Sequence, residues 1–90
     1  MARVERSFVI VNTLGLHARP AAQLVQASNK FKSEVHIAKD GTTVNAKSIM
    51  GVLTLAAGKG SQLTVTCEGP DAEAALAQLA KMIEGGFGET

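Results

Sequence analysis

Strand-like and helix-like patterns interleave along this chain, and the order in which they alternate leaves few folds open. Glu34-Val35-His36-Ile37-Ala38-Lys39 and Gln62–Glu68 place apolar residues at every second position, with Leu63, Val65 and Cys67 on one side of the latter. That is the signature of strands with one face buried. Asp40-Gly41 is a strong hairpin signal, so residues 42–46 return as a second strand beside the first. Residues 7–11 (SFVIV) form a short β-branched run closed by Asn12-Thr13 and read as a further strand.

Between them lie helical stripes. Ala21, Leu24, Val25 and Ser28 recur on one side of a helix running from Ala18 to about Lys30, and Phe31 continues the stripe. Ser48, a good N-cap, precedes a short apolar helix, although Gly51 weakens it. Val52, Leu53, Leu55 and Ala56 are expected to face the core, leaving Ile49 and Met50 partly exposed. Gly69-Pro70-Asp71 ends the last strand, and Ala72, Ala75, Leu76, Leu79, Met82 and Ile83 line a helix that stops at Gly85-Gly86. The tail, residues 87–90, is expected to fray.

The order β-α-β-β-α-β-α with one-sided strands predicts an α+β open-faced sandwich. Ninety residues suffice for one domain, here 1–90, burying about 60 to 65% of its unfolded surface. With three phenylalanines and no tryptophan or tyrosine, the core must be aliphatic. Nine basic and eight acidic residues give a net charge of +1, which argues against nucleic acid and membrane surfaces as partners. One cysteine, Cys67, excludes an internal disulfide, and four apolar residues after the charged start are too few for a leader. A cytoplasmic protein with no membrane insertion is expected.

The chemistry concentrates in Gly15-Leu16-His17-Ala18-Arg19-Pro20-Ala21-Ala22. It sets a histidine at a helix start, where unpaired amides, those of Ala18 and Arg19, attract anions. Imidazole is nucleophilic near neutral pH and forms an exchangeable bond to phosphorus. Arg19 can offer charge-assisted hydrogen bonds to phosphate oxygens. Pro20 spares a donor the first turn does not need, yet biases Arg19 away from helical angles. Spacing alone also permits a plainer arrangement, a capping histidine beside a solvated arginine.

Together with Lys47-Ser48-Ile49-Met50-Gly51-Val52, the string closely resembles the HPr family, the histidine-containing phosphocarriers of the bacterial phosphoenolpyruvate:sugar phosphotransferase system. The resemblance implies a four-stranded antiparallel sheet covered on one face by three helices. It implies that Enzyme I phosphorylates Nδ1 of His17, that Arg19 is the active-site arginine, and that enzyme II A components take the group onward. A carrier of this kind is not a free-standing enzyme. Ser48 has two readings: a helix cap, or by resemblance the regulatory serine of HPr kinase/phosphorylase. Ile49 and Met50, extended by Leu16 and Ala22, suggest a docking patch for partners.

His36 is expected to face solvent and Cys67 to be buried; neither stands at metal-ligand spacing from His17, so no metal or cofactor is expected. A monomer is the default for a relay that must expose its active face. Two alternatives remain at this point: a regulatory nitrogen-branch paralogue, and a small α+β ligand- or RNA-binding module, the latter opposed by the absence of aromatics and clustered cations on the open face.

Overall fold

A computed structural model describes residues 2–89. Its elements follow the expected order: β1 (Arg3–Val9), α1 (Ala18–Ser28), β2 (Glu34–Lys39), β3 (Thr42–Asn45), α2 (Ile49–Thr54), β4 (Gln62–Glu68) and α3 (Ala72–Glu84). The strands form one antiparallel sheet in the order β1-β4-β2-β3. Cys67 pairs with Val4 and Val35, and Val65 with Arg6 and Ile37, so β4 carries the sheet's centre. The alternation places Phe8, Val35, Ile37, Leu63, Val65 and Cys67 on the buried face. Leu24, Val52, Leu79 and Ile83 complete an almost wholly aliphatic core. Cys67 is fully buried there, and burial pushes its thiol pKa up. The opposite face bears Arg3, Glu5, His36, Thr64, Thr66 and Glu68 around a shallow cleft of about 360 Å³. Two carboxylates and no phenylalanine line it, which suits neither base stacking nor phosphate tracking.

β1 begins four residues earlier than the apolar run suggests and ends at Val9; Val11 leaves the sheet and is exposed. The backbone ladder explains the shift, since Arg3 pairs with Glu68 and the strand is drawn in over the full length of β4. Arg6 adds to it by bonding Glu84 of α3 at 2.8 Å while lying 4.8 Å over the Phe8 ring. At the hairpin, Asp40 (φ 50°) and Gly41 (φ 83°) both adopt the left-handed conformation a tight two-residue turn requires.

Asp71 stands at the start of α3 but its side chain makes no cap hydrogen bond. Its carboxylate instead accepts from the amides of Lys32 and Ser33 at 2.9 Å and from the Ser33 hydroxyl at 2.6 Å. The Ser33 hydroxyl, and then the Lys32 amide, lower its pKa to about 2.

The tail corrects the expectation of fraying. Gly86, Phe87 and Gly88 are all left-handed (φ 65°, 57° and 76°), and this short 3₁₀ turn folds the chain back and buries the Phe87 ring. An exposed phenylalanine would gain nothing from this unusual conformation; burial of a large apolar side chain sustains it. Residue 90 lies outside the described residues.

Candidate functional site

Each residue of the glycine–histidine string is placed by a separate constraint. Gly15 has φ 67°, and a Cβ there would collide with the backbone of Ala57 and Gly58, so only glycine lets the loop before α1 run against the loop after α2. Leu16 then donates its amide to the Ala57 carbonyl at 2.8 Å and is 4% exposed. Leu16 therefore belongs to the core and not to a docking patch: the same bond that positions His17 draws its predecessor inward. His17 is the N-cap of α1, in extended conformation, and its carbonyl accepts the first helical bond from Ala21 at 3.0 Å. The helix includes Arg19 despite the following Pro20, which is buried. The amides of Ala18 and Arg19 have no helical carbonyl behind them, as at any helix start.

The His17 ring does not cap the helix. It is about one-third exposed, and its Nε2 lies 3.1 and 3.0 Å from the two carboxylate oxygens of Glu89. Asn12, buried in the loop before α1, donates from Nδ2 to the Gly15 carbonyl at 2.8 Å and to Glu89 Oε1 at 3.0 Å. These contacts hold the Glu89 carboxyl below its usual range: the hydrogen bond from His17 contributes most, and Asn12 and the charge of Arg19 add to it against the cost of burial. Arg19 itself is exposed and, among the described residues, no hydrogen bond or ion pair holds its guanidinium. Motif reading missed Asn12 and Glu89. A lone phenylalanine between glycines just ahead of the acid was the available signal, since such a ring seeks the core and carries its neighbour with it.

Ser48 is the N-cap of α2, where its Oγ accepts from the Gly51 amide at 3.2 Å. Asn29, following α1, donates to the Lys47 carbonyl, and Lys47 Nζ donates to the Phe31 carbonyl. The end of α1 thus adjoins the start of α2, while Leu16 meets the chain just after α2. The two helices run antiparallel, and His17 and Ser48 sit at opposite ends of the pair, separated by roughly the 16 Å length of an eleven-residue helix. Met50 is 70% exposed, Ile49 and Leu53 are exposed too, and Ala22 is half-buried. Leu53 and Ala56 point outward against expectation, because positions 49, 50 and 53 share the side of α2 opposite Val52. Leu14, 70% exposed, adds a further apolar side chain ahead of His17. His36 is half-buried on the open sheet face. Among the described residues no cluster of acidic, histidine and cysteine side chains could hold a metal, and no helix is long and apolar enough to cross a membrane.

An open-faced sandwich with a partly exposed histidine at a helix start defines a class, and comparison with known proteins identifies it. Residues 4–85 match the family model for PTS-HPr, the PTS HPr component phosphorylation site. The phosphocarrier protein HPr of Treponema pallidum is 45% identical over 96% of this chain and 98% of its own. The HPr-like protein Crh of Halalkalibacterium halodurans is 49% identical over 90% and 96%. The crystal structure of HPr-C-His from Thermoanaerobacter tengcongensis superposes with a TM-score of 0.93 at 45% identity, covering 97% of this chain and 98% of that one. The chain belongs to the HPr family of phosphocarriers of the phosphotransferase system.

Proposed function

We propose that this protein accepts a phosphoryl group on Nδ1 of His17 from Enzyme I, originally from phosphoenolpyruvate, and passes it to enzyme II A components in the cytoplasm. The observation that carries this is the ring's setting: partly exposed at the start of α1, with its contacts on Nε2 and none among the described residues on Nδ1. Amides of Ala18 and Arg19 supply donors for phosphate oxygens, and a helix start favours an anion by about 0.3 to 1 kcal/mol. That stabilises the bound group without trapping it. Arg19, which no hydrogen bond or ion pair among the described residues holds, moves its charge onto the phosphoryl group during in-line transfer.

Ile49 and Met50, joined by Leu53 and Leu14 and flanked by Ala22, form the docking surface, where methionine adapts to several partners. The protein acts as a monomeric carrier and not as an enzyme in its own right. Ser48 is the site at which HPr kinase/phosphorylase adds a regulatory phosphate. Being a helix length from His17, that phosphate acts by placing charge on the docking face, not by touching the imidazole.

Incubation with phosphoenolpyruvate and either the sugar-branch or the nitrogen-branch Enzyme I, followed by mass-spectrometric site mapping, tests the reading. Rapid labelling of His17 by the sugar-branch enzyme supports it. Faster labelling by the nitrogen-branch enzyme would assign the chain to the regulatory relay, and no labelling at His17 by either would refute it.

A further inference from the structure

Phosphoryl acceptance on Nδ1 does not by itself account for the Glu89 carboxylate lying against the other ring nitrogen, Nε2. We propose that Glu89 is a positioning residue for His17, whose carboxylate keeps the ring proton on Nε2 and so presents the Nδ1 lone pair as the nucleophile. The inference rests on the reading of His17 as phosphoryl acceptor and deepens it.

The geometry determines which atom donates. An ionised carboxylate is acceptor-only, and Glu89 remains ionised at neutral pH because His17, Asn12 and Arg19 favour its charge. With both oxygens within 3.1 Å of Nε2, that nitrogen must carry the hydrogen. In neutral imidazole only one nitrogen is protonated, so Nδ1 is left with its lone pair. The carboxylate is itself restrained. Asn12 Nδ2 ties Glu89 Oε1 to the same loop whose Gly15 carbonyl it also bonds, and the buried Phe87 ring anchors the backbone two residues before Glu89. A histidine oriented through one nitrogen by a carboxylate, so that the other can act, is a recurring arrangement in group transfer.

The transfer balances without moving that proton. The Nδ1 lone pair forms the new bond to phosphorus as the donor's bond to phosphorus breaks, its electron pair leaving on the donor. The ring, bonded to phosphorus at Nδ1 and to hydrogen at Nε2, then bears a positive charge that the Glu89 carboxylate offsets. When an acceptor attacks phosphorus, the Nδ1–P pair returns to the ring and the neutral Nε2–H form is restored.

The test uses the full chain with ¹⁵N-labelled histidine as wild type, Glu89→Gln and Glu89→Ala, read by ¹⁵N shifts of the ring nitrogens at neutral pH and by initial rates of labelling from phosphoenolpyruvate and Enzyme I. Wild type should show His17 overwhelmingly in the Nε2–H form. Glu89→Ala should relax toward a mixture of tautomers and lose about tenfold in labelling rate, the scale of one charge-assisted hydrogen bond. Glu89→Gln, whose amide oxygen still accepts from Nε2–H, should keep the tautomer and recover part of the rate. A merely structural tail would leave the tautomer unchanged in Glu89→Ala, and that result, or an Nδ1–H form in the wild type, overturns the proposal. Failure of wild type to be labelled, with the tautomer still following Glu89, would sink the carrier reading while leaving the hold on Nε2 intact.

Discussion

The two helix starts of the α1–α2 pair both follow an N-cap residue in extended conformation and are used in opposite ways. At α2 the capping side chain does what a serine at that position ordinarily does: Ser48 Oγ is engaged with the Gly51 amide. At α1 the capping residue withholds its side chain, and the His17 ring bonds a glutamate that is 72 positions away in sequence. One start is closed by its own residue; the other keeps its first amides available and its ring outside the helix. A serine in the closed arrangement is structural until something modifies it. A histidine in the open one leaves the first amides of α1 unclaimed by its own side chain.

The largest effect that could break this contrast is at His17. His17→Ala should abolish phosphoenolpyruvate-dependent labelling while leaving the fold intact, because the ring contributes no cap and its loss costs only the contact with Glu89, on the order of 1 kcal/mol. Chemical denaturation alongside labelling checks both halves, and acid-labile phosphate persisting in the variant would contradict the assignment. Arg19→Ala should come next, slowing transfer roughly a hundredfold, in line with loss of one preorganised group facing developing charge. Since among the described residues nothing holds that guanidinium, its melting temperature should stay near wild type. An unchanged rate would remove Arg19 from the mechanism.

How much of this contrast could be read beforehand depends on how local each signal is. Period-two runs in β2 and β4 and the stripe of α3 were legible because burial on one face imposes itself on consecutive residues. The first half of β1 was not: Arg3, Glu5 and Ser7 lie on the open face, Arg6 is exposed on the helix side where it bonds Glu84, and it is pairing with β4 that makes them a strand. His17, Arg19 and Ser48 were visible as residues, through a motif whose atoms are close in sequence. The inward turn of Leu16 and the outward turn of Leu53 were not, since each follows from packing: Leu16 against the loop after α2, Leu53 on the far side of a six-residue helix. Glu89 depends on a three-residue left-handed turn and a buried ring, so no window around His17 could have contained it.

The closed start yields a smaller and two-sided effect. Ser48→Ala removes the acceptor for Gly51 and should cost about 1 kcal/mol of stability, read by denaturant midpoint, with labelling of His17 almost unaffected. Ser48→Asp keeps an acceptor at the cap and adds a charge at the helix start, so it should fold as well as wild type. It should nevertheless be phosphorylated about fivefold more slowly by Enzyme I, the scale of about 1 kcal/mol lost in docking. If Ser48→Asp matched wild type in rate, charge on the Ile49–Met50 face would not regulate encounter, and the two ends of the helix pair would be uncoupled.

A third helix start sharpens the comparison at its weakest point. Asp71 stands before α3 yet turns its carboxylate across to the Lys32 and Ser33 amides and the Ser33 hydroxyl, tying α3 to the entrance of β2. Its pKa falls from 3.8 to about 2 on folding. A carboxyl whose folded value is depressed contributes stability that is present in full above its unfolded value and is lost as pH falls through its folded one. Acid titration of stability should therefore show a decline between about pH 4 and pH 2 that Asp71→Asn flattens, the variant being less stable than wild type at neutral pH and converging on it at pH 2. Labelling of His17 at neutral pH should be the same in both, because Asp71 serves the frame and makes none of the contacts at the His17 ring. Were Asp71→Asn instead to slow phosphorylation while leaving the acid limb untouched, the division between a start that holds the fold and a start proposed to hold phosphate would have to be redrawn.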